Sequence, residues 1–482
     1  MFRRGKTEGW LTVPRESFRA WSELNDVVLH DLEVTSISGK GSALAAAKDI
    51  ANTENGAECL LTVPRGLILS LESVRGHALV DQDFREVLES VEDFGRSARG
   101  AILVFLLLQV STACELETGT FGVHSPFTYY VNSLPAEALP TSWTQDELSL
   151  LVGTTLAPAT AFKLRSLRKE YDNLCTAAAA TRWWKQYGHI VDFEDWIGVD
   201  AMYRSRALDY PNVGHCMVPC LDIANHESGD ATIAVYDLDS NGNAILLLRD
   251  GKALARGTEV TISYGDEKGA CEMIFSYGFL ESDRESAEAL FLDLSPSADD
   301  QFGAEKRRYA DCAPGFKLID VGEGQVDWSG DFVWLLCLYP EDGLHFDLAN
   351  LVDGTQEIQA FFGEHELKDG AAGLRRTLAQ SELWDVWRLR ALSILQTRVA
   401  EQLQVLLQTQ DHVEDAAHSS DISIDKTRCD MAMRLRMLEF QLLNQAYEDF
   451  AEQMQGLAQS TVVVQYLQAQ QAQNLNSSED FS

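Results

Sequence analysis

The 482-residue sequence predicts an α+β protein: a β-rich domain split by a helical insert, followed by an all-α C-terminal domain. Three observations carry that prediction. Strand-like alternation with turn residues fills 27–70 and returns at 216–279, helical spacing of apolar residues dominates 80–200, and Leu374 to Gln410 runs without Gly or Pro. The expected boundaries are 1–80 for the first β part, 81–215 for the insert, 216–282 for the second β part, 283–455 for the helical domain and 456–482 for a polar tail.

The elements follow in order. VVLHDLEVTSI (27–37) alternates loosely, Gly39 and Gly41 break it, and CLLTVPRGLILS (59–70) resumes it with Pro64 at an edge or bend. The longest apolar stretch, Ala101 to Val110 (AILVFLLLQV), is too short to span a hydrocarbon core and reads as a buried core helix. One helix opens at Asp146-Glu147 and another covers Ala161 to Tyr171, with Pro126, Pro135 and Pro140 punctuating the loop before them. Strands are expected over Ile233–Asp237, Ala244–Arg249 and Glu259–Tyr264. Asn241-Gly242 should turn the first hairpin, because both residues accept positive φ. Glu281 to Asp300 holds seven acids and one base, as a solvated linker would. Beyond it Leu392, Leu395, Val399, Leu403 and Leu406 line one helix face. Met431, Leu435, Leu438 and Leu442 line another after Asp425, its expected N-cap, and the two stripes should pack together. From Gln459 the chain is rich in Gln, Ser and Asn, which predicts a frayed or disordered tail.

Composition narrows the function. Ten Trp and twenty-one Phe supply ample core, so the chain folds. With 39 Lys+Arg against 74 Asp+Glu the net charge is −35, which argues against nucleic acid and favours a basic partner if the partner is charged at all, the plainer reading being that the acidity keeps a large protein soluble. The nine Cys are scattered and contain no C-x-x-C pair. That predicts a reducing compartment, cytosol or nucleus, with neither a disulfide framework nor a structural zinc. Met1 to Trp10 is basic without an apolar run, so neither a signal peptide nor a membrane segment is expected.

Three segments could carry chemistry. Gly39-Lys40-Gly41 with Ala43-Leu44-Ala45 imitates a dinucleotide-binding turn, but no regular βαβ repeat follows and a plain turn explains it. Asp222-Ile223-Ala224-Asn225-His226 offers a histidine that is equally a turn residue. Gly257 to Gly265 (GTEVTISYG) and then Tyr277-Gly278-Phe279 set two Tyr-Gly dipeptides at chain reversals. Singly these mean little.

Together, DIANH (222–226), RGTEVTISYG (256–265) and SYGF (276–279) resemble the C-terminal half of a SET domain. The likeness is to the methyltransferases typified by the Rubisco large-subunit lysine methyltransferase, with its ribosomal-protein and histidine-methylating relatives. Ser38-Gly39-Lys40-Gly41, Ala47-Lys48-Asp49-Ile50 and Leu61-Thr62-Val63-Pro64 are similar to that family's first β half. SPFTYYVNSLP (125–135), PTSWTQDELSLLVGTTL (140–156) and Tyr203-Arg204-Ser205-Arg206 are similar to its helical insert. The resemblance reaches to about Gln455, and the helical C-terminal region would be the family's substrate-binding domain.

What the resemblance implies is a protein-lysine N-methyltransferase using S-adenosylmethionine on a non-histone, basic protein, a ribosomal protein being a candidate. Tyr264 would be the catalytic tyrosine and Tyr277 would line the same pocket. Asn225 and His226 would hold the cofactor, and Arg206 would meet its carboxylate. Thr62 to Pro64 would give it backbone contacts, while Ser205 and Asp222 would lie toward the incoming side chain. Two departures stand out: Gly269-Ala270 replaces the family's Ser-Asn, and Gly-Lys-Gly replaces Gly-Arg-Gly. No C-x-C follows Phe279, which fits a non-histone substrate and no zinc. Protein-histidine methylation and an inactive SET-fold binding module are the alternatives, and a nicotinamide dehydrogenase built on the Gly39–Gly41 turn is a distant third.

Overall fold

The structure is a computed structural model that describes residues 15–52, 56–112, 123, 125–350, 356–418 and 424–479. It forms two compact units. The first comprises 1–143, 160–266 and 275–278, and the second 144–159, 267–274 and 279–482.

Among its described residues the first unit holds twelve strands, β1 (Val28–Leu29), β2 (Leu32–Ile37), β3 (Gly41–Ala46), β4 (Ile50–Ala51), β5 (Cys59–Val63), β6 (Leu208–Tyr210), β7 (Gly214–Cys216), β8 (Asn225–His226), β9 (Ala234–Leu238), β10 (Ala244–Leu248), β11 (Ala253–Leu254) and β12 (Glu259–Ile262). They make two four-stranded sheets, ordered β1-β5-β10-β9 and β2-β3-β12-β8, and two small ladders, β11-β4 and β6-β7. Strands about 180 to 215 residues apart in sequence thus become neighbours, as a split domain requires. The Gly39 and Gly41 turn closes β2 onto β3, both glycines sitting at φ +81, where a Cβ is disfavoured. The Asn241-Gly242 hairpin differs from expectation. Leu238 pairs with Ala244 across a five-residue loop in which only Gly242 has positive φ. Asp239 supplies the rest of the turn, its Oδ1 accepting from the Asn241 and Asn243 amides at 2.8 and 2.9 Å.

The helices of this unit are packed on that framework. The apolar run is α1 (Ala98–Thr112), and Ala101 to Leu107 have no exposed surface at all. Burying each of its large side chains contributes about 1.5–3 kcal/mol, which is why the helix can be apolar all round. α2 (Pro126–Ser133) follows, with proline in its first turn where the missing N–H costs nothing. α3 (Leu156–Ala178) contains the predicted 161–171 helix. α4 (Phe193–Arg206) starts at a capping box of Asp192 and Asp195 and ends on the Arg204-Ser205-Arg206 stretch. Inside the unit Asp200 of α4 is fully buried, yet burial is outweighed by Lys163 at 2.8 Å, Arg204, and Arg99 at 2.7 Å, which hold its carboxyl below the usual range.

The second unit is helical at its C-terminal end and includes most of α5 (Ala270–Tyr277), whose last residues belong to the first unit. The expectation of an all-α region fails between 289 and 367. There β13 (Ala289–Asp293), β14 (Gly315–Gly322) and β15 (Gln325–Ser329) form one antiparallel meander; β16 (Leu344–Asn350), β17 (Gln356–Phe362) and β18 (His365–Leu367) form another. The reason is period-two burial: Leu290, Leu292, Phe316 and Leu318 point inward while Phe291 is exposed. The long helices follow: α6 (Gly370–Ala379), α7 (Trp384–Gln408) and α8 (Lys426–Ala458). The 374–410 run is therefore broken near Gln380–Leu383. Leu392, Leu395, Val399 and Leu406 on α7 are buried, as are Leu435, Leu438 and Leu442 on α8, and the two helices pack together as expected. Asp425 caps α8 by accepting from the Arg428 amide at 3.1 Å. The polar tail is not frayed through its length: Thr461–Glu479 forms α9, anchored by buried Val463. Gln and Ala are good helix formers and no Gly or Pro interrupts them. Among the described residues no helix is long and apolar enough to cross a membrane.

Candidate functional site

The site is built at the edge of the β2-β3-β12-β8 sheet. β8 lies parallel to β12, with Asn225 opposite Thr261 and His226 opposite Ile262. Tyr264 follows two residues beyond β12, and its amide donates to His226 Nδ1 at 3.0 Å. Its ring stacks on that of His226 (5.1 Å between centroids, 28°) and lies 4.6 Å from that of Tyr277. The two hydroxyls are also committed: Tyr264 donates to the Ala224 carbonyl at 3.0 Å, and Tyr277 to the Tyr264 carbonyl at 3.3 Å. Three residues from three separate motifs thus form one aromatic wall. Burial pushes the Tyr264 phenol well above the ordinary tyrosine range; Arg206 opposes this and Tyr277, Glu137 and Asp222 reinforce it.

Those charges form the second part of the site. Arg206 ends α4, where its Nη1 donates to the Asp222 carbonyl (2.9 Å) and carboxylate (3.3 Å) and its Nη2 to Glu137 at 2.6 Å. Tyr130 of α2 adds its hydroxyl to the same Asp222 carboxylate at 2.8 Å. Asp222 is 2% exposed, and burial raises its carboxyl despite Arg206 and Tyr130. Burial opposes the Arg206 charge, but Glu137 and Asp222 more than restore it, and the guanidinium is held above its ordinary range. Cys220, two residues before Asp222, is buried at φ +73, a conformation that costs a non-glycine residue about 1–3 kcal/mol. That bend delivers Asp222 and Asn225 to the sheet edge.

Asn225, His226, Tyr264 and Tyr277 are therefore brought together, with Arg206 and Asp222 beside them. The remaining predicted residues lie otherwise. Ser205 returns its hydroxyl to its own helix, donating to Ala201 at 2.8 Å. Thr62 and Pro64 belong to the other large sheet, where the Thr62 hydroxyl is 3.3 Å from His30 Nε2 and Pro64 precedes a short 3-10 turn. Sequence reasoning missed Tyr130 and Glu137, which reach Arg206 and Asp222 from 69 and 92 residues away. The Gly269-Ala270 departure has a local cause. A Cβ on Gly269 would sit 2.0 Å from the Ala289 carbonyl oxygen, so the backbone leaves no room for serine, and Ala270 is fully buried.

Comparison with known proteins bears on this geometry. A family profile described as cytochrome c lysine N-methyltransferase 1 matches residues 205–301, the stretch that holds the aromatic wall. SET domain-containing protein 8 of Schizosaccharomyces pombe is 25% identical over 321 residues, covering 66% of this chain and 70% of its own length. The chloroplastic Rubisco large-subunit N-methyltransferase of Nicotiana tabacum is 24% identical over 61% of this chain, which spans 56% of that relative. A crystal structure of the SET domain of LSMT, bound to lysine and AdoHcy, superposes with a TM-score of 0.61. It is 18% identical and covers 93% of each chain.

The chain has a SET-domain fold. The resemblance carried by DIANH, RGTEVTISYG and SYGF is borne out in the relatives and in the solved structures alike. Within the SET fold, the residues present suit S-adenosylmethionine, a cofactor bearing a carboxylate. Arg206 Nε is buried with no hydrogen-bond partner among the described residues, a cationic donor left over for an anion.

Proposed function

We propose that this protein is an S-adenosylmethionine-dependent protein-lysine N-methyltransferase acting on a non-histone protein, with Tyr264 at the reacting centre. The observation that carries this reading is the wall of Tyr264, His226 and Tyr277, set beside a buried Arg206 that still has a donor to give.

When bound, the cofactor supplies an electrophilic methyl group on a positively charged sulfur. Arg206 would hold its carboxylate through Nε, and Asn225 and His226 would hold it at the strand edge. Tyr264 donates its O–H to the Ala224 carbonyl, which leaves the lone pairs of a neutral phenol oxygen to face positive charge. Burial keeps that phenol protonated, so Tyr264 is an electrostatic stabiliser and not a proton acceptor. The substrate amine must shed its own proton. A free lysine has a pKa of about 10.4, and aromatic walls that strip water from an ammonium lower it. The same walls attract the cation formed as the methyl group moves. Asp222 acts by fixing Arg206, with Glu137 and Tyr130 completing the cage.

Tyr277 supports lysine over histidine as the acceptor, since histidine-directed relatives tend to lack this tyrosine. A net charge of −35 supports a basic substrate, a ribosomal protein being one candidate. Free thiols at all eight described cysteines support a reducing compartment, cytosol or nucleus. The test is transfer of label from tritiated S-adenosylmethionine into ribosomal, histone and soluble fractions of a lysate, with Tyr264→Phe and Asn225→Ala alongside. The reading requires one labelled protein band that both variants lose, with the modification mapping to lysine. Cofactor binding without transfer to any fraction would replace it with a binding module.

A further inference from the structure

Glu259 has no part in the mechanism above, yet its surroundings give it one. It opens β12 and pairs across the sheet with Ala45 of β3. Its side chain is 17% exposed, and its two oxygens serve different partners. Oε1 accepts from Asn225 Nδ2 at 2.7 Å, and Oε2 accepts from Lys40 Nζ at 3.1 Å. Lys40 stands between Gly39 and Gly41 at the tip of the β2–β3 turn, so the turn itself delivers the ammonium.

The chemistry of the pair is directional. An asparagine side chain offers NH2 on one branch and oxygen on the other, and either can face a neutral neighbour. A carboxylate accepts only, so Glu259 admits Asn225 with its NH2 inward, a choice that the Ser42 carbonyl 3.4 Å away reinforces. Asn225 Oδ1 is then presented as an acceptor on the side away from Glu259. Lys40 donates to the other oxygen, Oε2, and so leaves Oε1 to Asn225. We infer that Glu259 is a positioning residue of the cofactor pocket, fixing the Asn225 carboxamide so that its oxygen receives an N–H donor of S-adenosylmethionine. Lys40 is its counter-charge. This inference rests on the proposed function.

The substitution that separates this role from mere packing is Glu259→Gln. It keeps the size but can donate as well as accept, so Asn225 is free to turn over. Binding of S-adenosylhomocysteine to the full chain, measured by calorimetry, should weaken about tenfold in Glu259→Gln while the melting temperature holds. Asn225→Ala should weaken it comparably, and the double variant should lose no more than either alone. Lys40→Met should weaken binding only about twofold, because that pair is partly exposed and screened by water. In turnover, Glu259→Gln should raise KM for the cofactor with little change in kcat. Wild-type affinity in Glu259→Gln beside weakened Asn225→Ala would overturn the inference and leave the proposed function standing. Unchanged affinity in Asn225→Ala would remove Asn225 from the pocket and the inference with it. If the wild-type chain binds neither S-adenosylhomocysteine nor S-adenosylmethionine, the proposed function itself falls.

Discussion

At Tyr264 the oxygen atom donates to Ala224, and in the proposed mechanism it also turns lone pairs toward the reacting centre. Tyr264→Phe removes both while leaving the ring against His226 and Tyr277. Methyl transfer should fall about 10²-fold or more, with cofactor affinity retained and stability lowered by only about 1 kcal/mol. Label transfer and calorimetry on the same preparation check the two halves of that statement. Gly269 makes the opposite case, a residue whose chemistry is nil and whose space is everything. Serine is the family's residue here, but the Ala289 carbonyl lies 2.0 Å from where its Cβ must go. Gly269→Ser should therefore destabilise the protein, by about 1–3 kcal/mol as overpacking does, instead of restoring a missing contact. A thermal melt decides it: a raised melting temperature would mean that the loop yields and the polar contact forms.

Among the elements, legibility followed how local the physics is. Tyr264, Tyr277, Asn225 and His226 came from the resemblance, each lying in a short run that is similar to a SET-domain motif. Tyr130 and Glu137 could not be found that way, since only the packing of α2 and its following loop brings them to Asp222 and Arg206 respectively. α1 and the α7–α8 pair were readable because long helices repeat their pattern for many turns. The meanders of 289–367 repeat theirs for three to eight residues and are interrupted by charged turns, so the alternation in ALFLD and GFKLIDVG was swamped by the acidic composition around it. α8 hides a further feature that no pattern announces. Glu439 is fully buried in that helix, accepting the Thr155 amide at 2.9 Å and the Thr155 hydroxyl, with Arg436 nearby. Burial outweighs those contacts and lifts its carboxyl from 4.5 to about 7. Between those values the folded protein holds a proton that the unfolded chain has released. Stability should therefore decline as pH rises from about 4.5 to 7 and level off above, a loss of roughly 3 kcal/mol from this group. Glu439→Gln should remove that decline and be the more stable protein at pH 8. Urea denaturation at pH 5 and pH 8 measures both; parallel pH profiles for the two proteins would show that Glu439 ionises freely in the fold.

Over the whole molecule the dominant fact is an excess of 35 negative charges, spread across a chain whose site needs a positively charged side chain to arrive and then lose its proton. These two demands act at different distances. The long-range field would attract a basic protein and raise its encounter rate, and salt would screen it with a Debye length of about 8 Å at physiological ionic strength. The pocket acts at contact range, where the aromatic wall and the Arg206 cage are too buried to be screened much. The two should separate in kinetics. With a basic protein substrate, kcat/KM should fall steeply as sodium chloride rises from 50 to 300 mM, about tenfold or more, while kcat changes less than twofold. With a short neutral peptide bearing one lysine, both parameters should be nearly flat over the same range. A salt-independent kcat/KM on the protein substrate would mean that the acidity serves solubility alone, and that recognition comes from shape in the second unit instead of from charge.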